Sequence, residues 1–206
     1  RRCAALGELC STLLVTSHMA QKLPKLPLAV GDAAGRYGGG CYDRIICDVP
    51  CSGDGTARKN PSVWHRWSVE FALEMHPLQL QIALRGAALL KVGGLLAYST
   101  CSFNPIENEA VVAELLLRCG GALELVDASE RLQGLARAGG LAHWLVMDDD
   151  LREFGTYDAL MASKLSSALK RRFRRSMWPP PASSSLPLGR CLRMLPHLAN
   201  MGGFFV

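Results

Sequence analysis

The chain has 206 residues, 49% of them hydrophobic, 8 cysteines and a formal net charge of +5. That length and apolar content suffice for one domain with a full core, and no apolar run approaches the roughly 18 residues of a membrane-spanning helix. Eight irregularly spaced cysteines in a core-rich chain without a secretory signal read as reduced thiols rather than a disulfide framework. Cys41, Cys47 and Cys51 lack the paired spacing of a zinc site, so no metal is expected.

The chain opens Arg1-Arg2-Cys3, without an initiator methionine, and reads as starting inside a longer protein. Residues 13–16 are a short apolar run expected to form a strand that ends at Ser17-His18-Met19-Ala20. Pro24 and Pro27 follow, then five glycines between Gly31 and Gly40 that predict a loop. An apolar run at 44–49 predicts a strand, and residues 52–67, punctuated by Gly and Pro, a loop. Ser68 is a candidate helix cap with Glu70 in the first turn. Phe71, Met75, Leu78, Ile82, Gly86 and Leu89 then recur at helical spacing, with Pro77 as a kink or restart and Gly93-Gly94 as the stop.

A second strand is expected at 95–100. Asn104-Pro105-Ile106-Glu107 opens a further helix with Val111, Val112, Leu115 and Leu116 inward, and 123–126 reads as a third strand. Alternating strands and helices predict an α/β fold with a parallel, doubly wound sheet. Residues 129–165 lose this pattern, 177–188 form a Pro/Ser loop, and 202–206 read as a terminal strand. The whole chain is thus one domain, with a sheet core over 1–128 and an irregular basic segment over 129–206. From Ala159 to Val206 there are eight basic residues and no acid, the electrostatic footprint of a polyanion partner.

Cys51 and Cys101 each follow a predicted strand. The carboxyl ends of such strands form the ligand crevice of an open α/β sheet, so the two thiols can share one site with Asp48. A thiolate adding to carbon 6 of a pyrimidine makes carbon 5 nucleophilic toward a methyl group. A second thiol then assists release, and a carboxyl group on the ring's N3 edge stabilises the developing charge. Taken singly, a cysteine at a strand end is more often a small buried apolar residue, Asp48 can cap a turn, and Trp64 and Trp67 are more often core.

The segments Asp48-Val49-Pro50-Cys51-Ser52-Gly53-Asp54-Gly55-Thr56-Ala57-Arg58-Lys59-Asn60 and Tyr98-Ser99-Thr100-Cys101-Ser102-Phe103-Asn104-Pro105-Ile106-Glu107-Asn108-Glu109 resemble the signatures of the Nop/Sun-domain (NSUN) RNA cytosine-5 methyltransferases. The wording resembles most the eukaryotic tRNA branch. The resemblance continues through Leu78-Gln79-Leu80, Ser176-Met177-Trp178-Pro179-Pro180, Arg190-Cys191-Leu192-Arg193 and Gly202-Gly203-Phe204-Phe205.

This resemblance implies a Rossmann-like, S-adenosyl-L-methionine-dependent methyltransferase lacking its first strands, which leaves one side of the sheet open. It implies Cys101 as nucleophile, Cys51 as release cysteine and Asp48 at the target cytosine. Asp48, Pro50 and Met19 would face the methyl donor. Arg58, Lys59, Lys170, Arg171, Arg172, Arg174 and Arg175 would hold RNA, most specifically tRNA, with the target base flipped out of its stack. A monomer in the nucleus or nucleolus is expected, with the cytoplasm as the alternative.

Two departures stand against it. The family's Gly-x-Lys-Thr cofactor loop and its ribose-binding acid are not in this sequence, and residues 3–7 echo that loop only faintly. Met19 stands where the family usually places an acid. The alternative reading is therefore a chain that holds RNA without methylating it. A thiol-based redox enzyme is a third reading, but it lacks a C-x-x-C pair and leaves the basic segment unexplained.

Overall fold

The computed structural model describes residue 13, residues 15–24 and residues 40–206. The expected features at 3–9, at Pro27 and over most of the 31–40 loop lie outside them. Among the described residues, Leu13, Val15 and Thr16 form no strand and are exposed. Among the described residues no neighbouring strand supplies the backbone partners that the expected strand would need. The Leu23 carbonyl that follows accepts instead from Arg85 Nε at 2.5 Å.

β1 (Tyr42–Asp48) lies within two residues of its expected place. The loop that follows holds a 3-10 turn at Asp54–Thr56 and a single helical turn, α1 (Val63–Arg66). α2 (Val69–Leu89) then begins as the sequence predicts: Ser68 Oγ accepts the Phe71 N–H at 3.1 Å, and Glu70 sits at the positive end of the helix. Pro77 removes one donor from the ladder, yet the helix runs on to Leu89.

The buried stripe of α2 differs from the apolar periodicity. It comprises Ala72, Leu73, His76, Gln79, Leu80, Ala83, Gly86 and Leu89. Phe71 is exposed, and Met75, Leu78 and Ile82 are only half-buried. The helix turns small and hydrogen-bonding side chains inward because it lies close on β1. A Cβ on Gly86 would meet Cys47 Sγ at 2.8 Å.

β2 (Leu90–Ser99) starts on the residue after α2, so Gly93-Gly94 lies inside the strand rather than ending the helix. β1 and β2 pair in parallel, from Arg44 opposite Leu95 to Asp48 opposite Ser99. With α2 between them they form the βαβ unit of a Rossmann-like α/β fold. The face carrying Ile45, Cys47, Leu96 and Tyr98 packs on the core. Its opposite carries the exposed Arg44, Ile46 and Leu95.

α3 (Glu109–Cys119) begins later than expected. Residues 104–107 turn first, because Asn104 Oδ1 accepts the Ile106 N–H at 2.9 Å. Val111, Val112, Leu115 and Leu116 are buried as the pattern predicts. No strand forms at 123–126: the Leu125 carbonyl accepts from Arg190 Nη1 at 2.7 Å instead of from a neighbouring strand.

The remainder is largely irregular, as expected. It holds β3 (Ala138–Gly139), α4 (Tyr157–Ala162), α5 (Ser167–Lys170), β4 (Leu192–Met194), α6 (Pro196–Ala199) and β5 (Phe204–Phe205). β3, β4 and β5 form a small antiparallel sheet. β5 also bonds β2 at its end: Thr100 N donates to Phe205 O at 3.1 Å, and Phe205 N to Thr100 O at 2.9 Å. Trp144, Phe173, Met177, Trp178 and Phe205 join Leu80, Tyr98 and Val111 in one buried cluster. Among the described residues no helix is long and apolar enough to cross a membrane.

Candidate active site

The parallel register sets the site. Asp48 and Ser99 are paired at the carboxyl ends of β1 and β2, and Val49 N donates to Ser99 O at 3.1 Å. The chain leaves β1 through Pro50 and β2 through Thr100, and the next residue on each is a cysteine. Cys51 Sγ lies 3.3 Å from Cys101 Sγ, within sulfur hydrogen-bonding distance. The turns that follow are tied together: Gly55 N donates to Cys101 O at 2.9 Å, and Phe103 N to Asp54 Oδ1 at 2.7 Å. Gly53 takes φ +73°, a left-handed conformation that glycine enters at little cost, and this curls the Cys51 turn back over Cys101.

Burial pushes the Cys51 thiol up to about 12; the hydrogen bond and charge of Cys101 and the charge of Glu107 act the same way. At rest Cys51 is therefore a thiol able to donate S–H to its neighbour. Asp48 is exposed and accepts from Ser99 Oγ at 2.9 Å on one carboxylate oxygen. No protein donor meets its second oxygen among the described residues.

Beneath the thiols lies a carboxylate that sequence reasoning did not place in the site. Glu107 is fully buried. Its Oε1 accepts from Ser52 Oγ at 2.5 Å and Ser102 Oγ at 2.8 Å. Its Oε2 accepts from Ser52 N at 2.8 Å and Gln79 Nε2 at 3.0 Å. Burial raises its pKa, and these hydrogen bonds oppose the rise. Gln79 Nε2 also donates to Pro50 O at 2.9 Å. The available signal was a serine directly after each cysteine, with an acid five residues beyond the second.

Of the other expected site residues, Pro50 joins this cluster through its carbonyl, and the rest make no hydrogen bond to it among the described residues. Met19 and Pro50 are exposed. Arg58 is exposed and donates to Asn200 Oδ1 at 2.6 Å; Lys59 beside it is exposed. The 170–175 cluster is partly engaged within the protein. Arg172 pairs with Glu70 at 2.6 Å, and Arg175 pairs with Asp158 at 2.7 Å while lying over the Tyr157 ring. Lys170 Nζ caps the carbonyls of Met161 and Ser163, and Arg174 caps those of Arg171 and Phe173. Arg171 is exposed and has no acidic partner among the described residues.

The structure thus brings two thiols and the Asp48 carboxyl group to the paired ends of β1 and β2. The profile of the 16S rRNA methyltransferase RsmB/F family matches residues 17–143, more than half of the chain. The chain belongs to this methyltransferase family. It is 53% identical over 167 residues to the Schizosaccharomyces pombe multisite-specific tRNA:(cytosine-C(5))-methyltransferase trm4b, covering 80% of this chain and 24% of that protein. It is 43% identical over 196 residues to a Drosophila melanogaster tRNA (cytosine(34)-C(5))-methyltransferase, covering 94% of this chain and 26% of that protein. The chain thus spans about a quarter of the length of either relative. It also aligns with the crystal structure of NSun6 from Pyrococcus horikoshii with SFG at TM-score 0.49 and 20% identity, covering 94% of this chain and 33% of that one.

Proposed function

We propose that the protein containing this chain methylates carbon 5 of cytosine in RNA, with tRNA as substrate, through a covalent adduct on Cys101. The observation that carries this reading is the 3.3 Å separation of Cys51 and Cys101 at the paired ends of β1 and β2. S-adenosyl-L-methionine supplies the methyl group as an electrophile. Asp48 and Pro50 would hold one side of that donor: both are exposed, and among the described residues one Asp48 oxygen has no protein donor, while Met19, also exposed, offers only apolar contact.

Cys101 attacks as thiolate, with the Cys51 S–H as its hydrogen-bond donor. The new carbon–sulfur bond at carbon 6 moves a pair of electrons toward carbon 5 and N3; Asp48 as the carboxylic acid gives N3 a proton and takes it back when Cys101 leaves. Once Cys101 is bonded to carbon, its charge no longer opposes ionisation of Cys51. Cys51 then gives its proton to solvent and accepts the carbon-5 proton after methylation. The carbon–sulfur bond breaks as the ring double bond re-forms, and Cys101 leaves as thiolate. Lys59 and Arg171, exposed, serve the RNA backbone, joined by the exposed Arg58 and Arg174 as they exchange Asn200 and the Arg171 and Phe173 carbonyls for phosphates. Arg172 and Arg175 first hold Glu70 and Asp158, and Lys170 first holds its carbonyls.

The test uses the full-length protein with unmodified tRNA. Cys101→Ala should abolish methyl incorporation. Cys51→Ala should accumulate a protein–RNA adduct that survives a denaturing gel. Full turnover without adduct in Cys51→Ala would defeat the two-thiol assignment, and RNA binding without methylation by the wild type would leave only a binding role.

A further inference from the structure

The two cysteine turns come from different strands and have no covalent connection between them. What they share underneath is one side chain. Ser52 and Ser102, each next to a cysteine, place their hydroxyls on the same Glu107 oxygen and lie 3.2 Å from one another. The Ser52 N–H and Gln79 Nε2 meet the other oxygen, and Gln79 extends the link to the Pro50 carbonyl just before Cys51.

Behind Glu107, the Tyr98 hydroxyl donates to its backbone carbonyl at 2.6 Å. Thr100 Oγ1 donates to Asn108 Oδ1 at 2.6 Å, and Asn108 Nδ2 donates to Ser102 O at 2.8 Å. The carboxylate is thus fixed from its own backbone and filled on both oxygens. Four donors fill the acceptor sites of this one buried carboxylate, and they come from both cysteine turns and from α2.

We propose that Glu107 is a positioning residue for the reaction, holding the Cys51 and Cys101 turns at the spacing that lets the two thiols work on one ring. The inference rests on the two-thiol reading, but its geometry can be measured without RNA or methyl donor. Glu107 touches neither sulfur and acts through Ser52 and Ser102. Removing it lets the turns drift, and a misplacement of about 1 Å can cost on the order of 100-fold in rate.

Glutamine at this position keeps the shape. Its amide group can donate to the two hydroxyls, which rotate to accept, while its oxygen keeps the Ser52 and Gln79 donors. Glu107→Gln should therefore largely rescue what Glu107→Ala loses. Glu107→Asp should not, because its carboxylate is drawn back by one methylene.

The first readout is coupling of the two thiols by an aromatic disulfide oxidant. The cysteines lose two protons and two electrons to form one disulfide, and the oxidant leaves as two thiopyridones. The Cys51–Cys101 peptide is followed by mass spectrometry and scaled to alkylation of each thiol alone. The second readout is methyl transfer by the full-length protein.

Wild type should couple readily. Glu107→Ala, with an unchanged thermal transition, should couple at least roughly tenfold more slowly and lose at least roughly tenfold in kcat, with KM for RNA within about twofold. Glu107→Gln should stay within about threefold of wild type in both. Wild-type coupling speed in a folded Glu107→Ala would overturn the proposal, as would a wild type that does not couple. If Glu107→Ala does not fold, Ser52→Ala with Ser102→Ala takes its place, and unaltered coupling there overturns it equally. Coupling that behaves as expected in a protein that methylates nothing would defeat the functional reading and leave the positioning measured.

Discussion

Arg193 and Glu109 form a two-pronged ion pair inside the protein. Nε and Nη2 each lie 2.5 Å from a carboxylate oxygen, and both side chains are nearly inaccessible. The pair joins β4 to the first turn of α3. Nη1 reaches on to the Phe103 carbonyl at 2.9 Å, two residues past Cys101. Arg193→Met leaves Glu109 buried without a counter-charge and should cost about 3–5 kcal/mol of stability. Replacing both, with Glu109→Leu and Arg193→Met, should recover part of it, short of about 2 kcal/mol for the Leu141 N–H and the Phe103 carbonyl that lose their partners. Denaturant midpoints at unchanged slope in the three variants decide this, and equal losses in single and double variants would contradict it.

The two strands that carry the site and the cysteine pair were legible because they rest on local signals, whereas the apolar runs at 13–16 and 123–126 form no strand among the described residues. Apolar runs at 44–49 and 95–100 ended at cysteines, and parallel pairing at the strand ends followed from the α/β pattern. The α2 face was only partly legible: Gly86 and Leu89 are buried as the spacing predicts, but the stripe also contains Ala72, His76 and Gln79, small or polar residues that the expected apolar spacing passes over. Their burial depends on what lies opposite: His76 bonds Ile106 O at 2.7 Å and Ser176 Oγ at 2.8 Å, partners 30 and 100 residues away. Glu107 was missed for the same reason. Its role is set by Ser52, 55 residues earlier, and no local pattern encodes that distance. The basic cluster was legible as charge but not as pairing, since Glu70 and Asp158 claim two of its arginines only in the folded chain.

Alkaline pH should destabilise this protein through its buried thiols. Burial lifts Cys47 from 9.0 to about 11 and Cys191 from 9.0 to about 12. The unfolded chain loses these protons near pH 9 while the folded one keeps them. Each contribution is therefore whole below pH 9 and falls by about 1.4 kcal/mol per unit until the folded value is reached. From pH 8 to pH 10 the two should remove about 2–3 kcal/mol together. Cys51 and the buried Tyr98 hydroxyl, both shifted upward, act in the same direction. Urea midpoints at the two pH values measure the loss. Cys47→Ala with Cys191→Ala should flatten it markedly, and an identical loss in that variant would assign it elsewhere.

Gly203 ties the chain's last strand to the reactive turn, and a methyl group there should disturb both. Its N–H donates to Gly55 O at 2.7 Å, and Gly55 N in turn donates to Cys101 O at 2.9 Å. A Cβ on Gly203 would overlap the Phe103 ring and lie 2.7 Å from Gly55 Cα. Phe103 can yield only by moving, and its own N–H is held by Asp54 Oδ1. The strain therefore passes to the two turns that carry Cys51 and Cys101. Gly203→Ala should lower stability by about 1–3 kcal/mol, as overpacking does, and slow methyl transfer beyond what the unfolded fraction explains. Gly155→Ala is the control, because a Cβ there meets nothing within 4 Å. A Gly203→Ala protein as stable and active as Gly155→Ala would show that the turns tolerate what the geometry forbids.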